Sequence, residues 1–526
     1  MRKLVFIKGY IKIMMCVVGA SALNINTSFA LMDSLVYYVD SQRGNDLNNG
    51  HSPDKAWKTI AKVNGSTFKP GNKILFKTGT SYTGQFSLSG TGSKNYPIIV
   101  SSYGRGAKPQ IIGNGTELSA LLLANTEYCQ IENLDISNKG PERQAKRVGV
   151  LVRISNFGTA HSIVLRNLDI HDVNGSLIKK LGGGAAILIH NEGNSVVSVF
   201  DGLLIEGCTI CRCERNGITF GGYWSRADWH PNRNVVIRKN IIEEIPGDGI
   251  VPIGCDGAII EHNVLRNFSR LLPLGEAAAG IWPWSCDNTL IQYNEVSGHK
   301  APWDGQGFDA DWNCRNTIIQ YNYSHDNEGG FLLVCNDGGA KPSSSVGNIG
   351  SVIRYNISVN DGVRKARTHA GIFSPVVHIA GPVKNTKFYN NTIYVMEEKT
   401  DSTDNSFLNF TNWGGWSDST SFANNIFLSE NQVKHVWGQS LNNVFDHNLY
   451  YGYQQNLPED LKPLYSDPGF VSQPPVDRAG MSKTKVFKLK RRSPCIGAGV
   501  LVDKDCRYDF WGKESFSGKM SIGVSF

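Results

Sequence analysis

From about Tyr128 to Glu430 the chain is a succession of short apolar or alternating runs, each three to six residues long and bounded by Asn, Asp and Gly. The clearest are AIIEHN (258 to 263), TLIQYN (289 to 294) and TIIQYN (317 to 322). QIENLDISN (130 to 138), IVLRNLDIHD (163 to 172) and VVIRKNIIEE (235 to 244) precede them; SVIRYNISVN (351 to 360) and KFYNNTIYV (387 to 395) follow. The runs are β-branched and alternate with a period of two, so they read as strands, and no helical period separates one from the next. Similar segments 28 to 31 residues apart mark stacked supersecondary units, since one unit alone cannot bury its apolar side. The pattern predicts an all-β parallel solenoid in which each strand pairs with its counterpart in the next coil.

Two polar columns run through the repeat. Cys255, Cys286 and Cys314 are each followed eight residues later by Asn263, Asn294 and Asn322. A second strand precedes each Cys, as GIVPIGC, GIWPWSC, GFDADWNC and GGFLLVC. Alignment on Ile250, Ile281, Phe308 and Phe331 puts an apolar side chain inward on four coils and sets Cys335 in the Cys column. Buried Cys packs as a small hydrophobe, so this column is expected inside the coil, and the Asn amides are expected to bond turn backbone. Cys208, Cys211 and Cys213 have metal-like spacing, but no complementary His or Cys set completes a tetrahedral site.

Side chains alternate across a strand. With Ile281 and Phe308 inward, Trp282 and Trp284 point outward on one coil, and Asp309 and Asp311 on the next, about 4.8 Å away. Aromatic faces beside paired carboxylates suit a sugar ring and the acid and base needed at its glycosidic oxygen. Asp309 and Asp311 are the first candidates for that pair, and an Asn at either is expected to lower turnover by orders of magnitude while leaving folding intact, because both are expected to face solvent. Their Cα atoms should lie roughly 6.6 Å apart on a regular strand. Glu328 and Asp304 are alternative partners near the turns, with Asp248, His325 and Asp326 nearby; crowding of like charge would raise at least one pKa. Trp229 and His230, with Trp224, belong to the insertion YWSRADWHPN expected to overhang the groove. Arg364, Lys365, Arg367 and His369 follow Asn360 and offer positive charge for a uronate carboxylate, or a solvated loop. A D-x-D run is also a Ca²⁺-binding pattern, so Ca²⁺ is a candidate ion, although no other cofactor is indicated.

Composition refines this picture. Gly is abundant, at 56 of 526 residues, as many tight turns require. Residues 1 to 30 have the form of an export signal: Arg2, Lys3, Lys8 and Lys12, an apolar stretch from Met14 to Leu23, and small residues before cleavage near Ala30. Removal lowers the formal charge from +7 to +3, too weak and dispersed for a nucleic-acid partner. No later stretch is apolar enough for a membrane span. The expected product is an exported monomer, in the periplasm or outside the cell, with a polysaccharide or oligosaccharide as its partner. The predicted organisation is a signal peptide over 1–30, an N-terminal cap and first coils over 31–127, central coils over 128–430, and last coils with a closing segment over 431–526.

The two ends carry a family likeness. YYVDSQRGNDLNNGHSPDKAWKTIAKVN (37 to 64) with GNKILFKTGTSY (71 to 82), and SDPGF (466 to 470) with FKLKRRSPCIGAG (487 to 499), resemble the opening and closing segments of secreted bacterial right-handed parallel β-helix proteins of the pectate-lyase-like superfamily. The resemblance spans nearly the whole mature chain. It implies a single-stranded right-handed β-helix with capped ends, and it implies a glycoside hydrolase, a polysaccharide lyase or a carbohydrate-binding surface protein. The Gly-His-Gly and Arg-x-Lys elements of polygalacturonase-like members are missing, which sets pectin hydrolysis aside and favours β-helix glycosidases that rely on carboxylates alone. Lyases of the superfamily need a Lys or Arg base and a cation, often Ca²⁺. Cys495 and Cys506 lie outside the repeat, and a disulfide between them is one option.

Overall fold

The computed structural model describes residues 35–364, 372–397, 404–503, 508–514 and 520–525. The segment read as an export signal, together with Lys365, Arg367, His369 and Cys506, lies outside the described residues. Three long parallel sheets run the length of the molecule. Sheet A extends from Val36–Val39 to Val444–Asp446. Sheet B extends from Phe86–Leu88 through Gln306–Ala310 and Gly330–Cys335 to Ser406–Thr411. Sheet C extends from Ser81–Thr83 to Leu449–Gln455. Each coil passes B, A and C in turn, so successive runs of the repeat stack in register.

The core is built column by column. Ile205, Ile237, Ile260, Ile291, Ile319, Ile353, Phe388, Phe422 and Phe445 pair coil to coil and are all buried. At the corner between A and C, Asn240, Asn263, Asn294, Asn322, Asn356, Asn391, Asn425 and Asn448 form a buried ladder, each Nδ2 donating 2.9 to 3.0 Å to the next Oδ1. Asp460 ends it, accepting from Asn448 at 2.7 Å. The amides therefore satisfy turn backbone and one another, as buried polar groups must. The residue before each ladder Asn is left-handed, including Tyr293, Tyr321 and Tyr355. A bulky side chain pays for that conformation by roughly 1–2 kcal/mol. Stacking offsets it: Tyr293 lies 5.1 Å from Tyr321, and Tyr321 5.5 Å from Tyr355.

The Cys column holds for three coils, with Cys255 N–H donating to Cys286 Sγ and Cys286 N–H to Cys314 Sγ. Cys335 does not continue it. Phe308 pairs with Leu332 rather than Phe331, and Cys314 pairs with Asn348. A one-residue slip turns a side chain to the opposite face, and Cys335 consequently points out of the coil toward Asp311. Cys495 is a buried free thiol. The short helix Ile60–Asn64, capped by Thr59, buries Ile60 and Val63 at the N-terminal end of the stack. Among the described residues no helix is long and apolar enough to cross a membrane, and no cluster of His, Cys, Asp and Glu is arranged to hold a metal ion.

Candidate active site

The outward face of sheet B opens into a cavity of about 440 Å³. Two columns of side chains make its floor. Ile281 bridges Phe308, which sets Trp282 beside Asp309; Asp309 pairs with Leu333, and Leu333 with His378. Two residues along, Asp311 accepts a hydrogen bond from the Cys335 thiol at 2.8 Å, and Cys335 pairs with Ala380. The walls come from corner loops and insertions, which supply Lys179, Asp248, Trp303, Asp304, Trp312 and Trp413. Trp303 and Trp413 are exposed at the rim.

Asp304 sits on a short strand, Trp303–Asp304, paired with Ala277–Ala278. Its backbone is left-handed, at φ 58°, and two features hold it there. Arg364 is almost fully buried and donates to the carbonyls of Ala301 at 2.7 Å and Asp304 at 2.6 Å. Gly329 passes so close that a Cβ there would lie 1.8 Å from the Asp304 oxygen, so only glycine fits. Arg364 therefore braces the loop, and its guanidinium is not available to a uronate.

Burial dominates the electrostatics. Asp304 is raised to about 7, first by desolvation and then by the charge of Asp311. Asp311 is raised to about 6 by desolvation, held from rising further by the Cys335 thiol and by the Trp312 N–H, which donates at 2.6 Å. Asp309, only 4% exposed, lies well above the usual carboxylate range because of desolvation and the charges of Asp304, Asp311 and Asp248. Its Oδ1 has no hydrogen-bond partner among the described residues. The expectation that both Asp309 and Asp311 face open solvent thus needs revision, for Asp309 is sunk into the cavity floor. Asp248 is a buried organiser. It accepts from the Trp282 indole at 3.0 Å and from Ala279 N–H at 3.1 Å, and it lies 3.7 Å from Arg215 and 4.0 Å from Lys179. Lys179 in turn sits 4.7 Å above the Trp282 ring. His378 is pushed down to about 4 by burial, so the cavity presents a neutral imidazole.

The other sequence candidates lie elsewhere. Trp284 is roofed: Trp224 stacks on it at 5.2 Å and Trp312 meets it edge-on at 5.6 Å, so it backs the cavity wall. Trp229 donates to the Ser285 carbonyl at 3.0 Å, with Arg226 4.0 Å above its ring. His230 pairs with Asp228 at 2.8 Å. The insertion carrying these residues packs down onto the coils rather than overhanging the groove. Glu328 is buried against Arg270 and does not line the cavity. His325 is on sheet C, where it pairs with Glu295 at 3.2 Å and Asp326 at 2.8 Å. Asp326 is tied to Arg478 of the closing segment at 2.9 Å. Sequence reasoning missed Lys179, Trp303, Trp312, His378 and Trp413; Trp303 and Trp312 flank the strand Gln306–Ala310, with Trp312 inside the GFDADWNC run, and the others come from three further parts of the chain.

Comparison with known proteins bears on the fold that carries this cavity. Residues 199–454 match the model of a right-handed beta helix region. A lacto-N-biosidase of Bifidobacterium longum subsp. longum is 28% identical over an alignment that covers 84% of this chain and 32% of that protein. The chain thus spans about a third of the length of that relative. The crystal structure of a GH136 lacto-N-biosidase from Eubacterium ramulus superposes with TM-score 0.58 at 29% identity, covering 70% of this chain and 65% of that one. XylC in complex with xylose superposes at TM-score 0.52 with 12% identity, covering 93% and 98%, a likeness of fold alone. The chain is a right-handed parallel β-helix protein.

Proposed function

We propose that this protein is a glycoside hydrolase that cleaves an oligosaccharide in the sheet B cavity, with Asp304 as general acid and Asp311 as the ionised partner. The observation that carries the reading is the pair of partly exposed carboxylates at about 7 and about 6 facing one tryptophan-walled cavity. Environments that hold two carboxyl groups apart in pKa assign acid and base between them. Near neutral pH Asp304 holds a proton for the glycosidic oxygen, while Asp311 supplies negative charge at the anomeric carbon. The Trp312 and Cys335 hydrogen bonds favour the charged form of Asp311. Asp309 lies beneath them, where burial and the neighbouring carboxyl groups favour its neutral form. Trp303 and Trp413, exposed at the rim, provide apolar faces for sugar rings, while Trp282 is buried beneath Lys179 as part of the floor. The cavity is in the size range of small-ligand pockets, and the kinship with lacto-N-biosidases supports a neutral disaccharide such as lacto-N-biose as the unit released.

Elimination from a uronate fits the cavity less well. The cavity offers little to hold a polyanion: Asp311 is its ionised carboxylate, Lys179 is engaged by Asp248 and Trp282, and Arg364 is spent on backbone. Delivery outside the cytoplasm by residues 1–30 completes the proposal. The test is incubation with a tetrasaccharide ending in lacto-N-biose, alongside a panel of other neutral glycans and uronate polymers. Disaccharide release from a neutral glycan supports the hydrolase; ultraviolet-absorbing unsaturated uronates, or no product from any glycan, would sink it.

A further inference from the structure

A second cavity, of about 750 Å³, lies at the C-terminal end of sheet C, on a different face of the coil from Asp304 and Asp311. Its floor is three coils in register, with Tyr394 paired to Leu428 and Leu428 to Tyr451. Its far wall is the closing segment, which returns across this face. That segment is pinned by an antiparallel bridge between Phe470 and Leu489 and by hydrogen bonds from Val471 to Lys488 and from Lys490 to Gly469, at 2.9 and 2.8 Å. The Tyr394 hydroxyl donates to Glu430 and lies 2.9 Å from the Gln473 amide, tying floor to wall. The space is therefore a formed feature of the fold.

Its lining has an unusual chemistry for an exposed surface. Tyr453 is 70% exposed and Tyr465 61%, and Tyr451 is also exposed. The three rings line one cavity, and exposed aromatic surface gathered at a cavity is the kind that marks a binding surface, unlike single exposed hydrophobics. Between them stand the polar groups of Glu430, Asp467 and Lys490. Rings alternating with single donors and acceptors match a sugar, whose C–H faces are apolar and whose edges carry hydroxyls. Two carboxylates against one ammonium disfavour polyanions. Both carboxylates are exposed, unlike Asp309, so nothing enclosed stores a proton for cleavage.

We infer that this cavity is a second, non-catalytic binding site for a neutral oligosaccharide, holding a glycan on the sheet C face while sheet B does the cutting. It does not depend on the assignment of Asp304 and Asp311. The test uses full-length protein carrying Asp304→Asn and Asp311→Asn, titrated calorimetrically with a lacto-N-biose-ended tetrasaccharide, xylohexaose, cellohexaose and, as the anionic control, polygalacturonate. The same titrations are repeated with Tyr453→Ala plus Tyr465→Ala added. Both tyrosines are exposed, and a melting curve checks that folding is unchanged. Binding of a neutral probe that weakens about tenfold or more without the tyrosines supports the site, and turnover by the tyrosine variant with Asp304 and Asp311 intact should be unchanged on small substrates. Binding unaffected by the tyrosine changes, binding of polygalacturonate alone, or no neutral binding overturns it. Loss of turnover on small substrates in the folded tyrosine variant would overturn the non-catalytic assignment, whereas full turnover by the Asp304→Asn plus Asp311→Asn protein would count against the sheet B assignment and leave this one standing.

Discussion

Replacing Asp304 with Asn should make the protein more stable as the solution becomes more alkaline while it stops the reaction. The folded state holds this carboxyl at about 7 against an ordinary 3.8, so the folded chain binds more protons than the unfolded one between those values. Stability present at low pH is then lost as pH rises through that window. Integrated with 1.36 kcal/mol per unit, wild-type protein loses about 2.5 kcal/mol from this group between pH 5 and 8. An amide has no charge to bury, so the variant escapes the loss. At roughly 2 cal/mol/K per residue of unfolding entropy, a domain of this size converts that energy to about 2 to 3 °C in Tm. Thermal melts of both proteins at pH 5 and 8 measure the difference directly, and turnover should fall about 10² to 10⁴-fold if Asp304 is the general acid. An equal Tm offset at the two pH values, or a variant that loses ground at pH 8, would refute the claim that the cavity stores this unfavourable charge.

Four further outcomes follow from the structure. The pH profile of kcat/KM should be a narrow bell, rising as Asp311 ionises through about 6 and falling as Asp304 loses its proton through about 7. Cys335→Ala removes a hydrogen bond that favours ionised Asp311, so the acid limb should move to higher pH with folding preserved; an unmoved limb would deny that contact a role. Asn294→Ala in the middle of the ladder removes the side-chain partner of the Ile260 carbonyl and of the Asn263 backbone and side-chain N–H groups, and urea denaturation should show a loss of about 3 kcal/mol. Arg364→Lys keeps the charge but cannot reach both carbonyls in the same fork, and turnover should fall at least about tenfold with little change in Tm.

The repeat was legible in the sequence because strand stacking imposes its own period. Each coil must present Ile or Phe inward and an Asn at the same corner, and Asn263, Asn294 and Asn322 announced a ladder that extends from Asn240 to Asn448. Two-residue alternation likewise placed Trp282, Asp309 and Asp311 on the outer face of sheet B. Alternation says which way a side chain leaves the strand but not what lies over it. Tertiary structure decided that Trp224 covers Trp284, that Asp309 is sunk in the floor, and that Asp304 is carried to the cavity on a loop braced by Arg364. It also decided the register that turned Cys335 from the core to Asp311: Gln306 pairs with Gly330 and Phe308 with Leu332, one residue away from the alignment on Phe331 that the apolar pattern suggests. Local periodicity fixes the coil; loops from distant coils, whose approach depends on packing rather than on any motif, enclose the cavity and set its proton affinities.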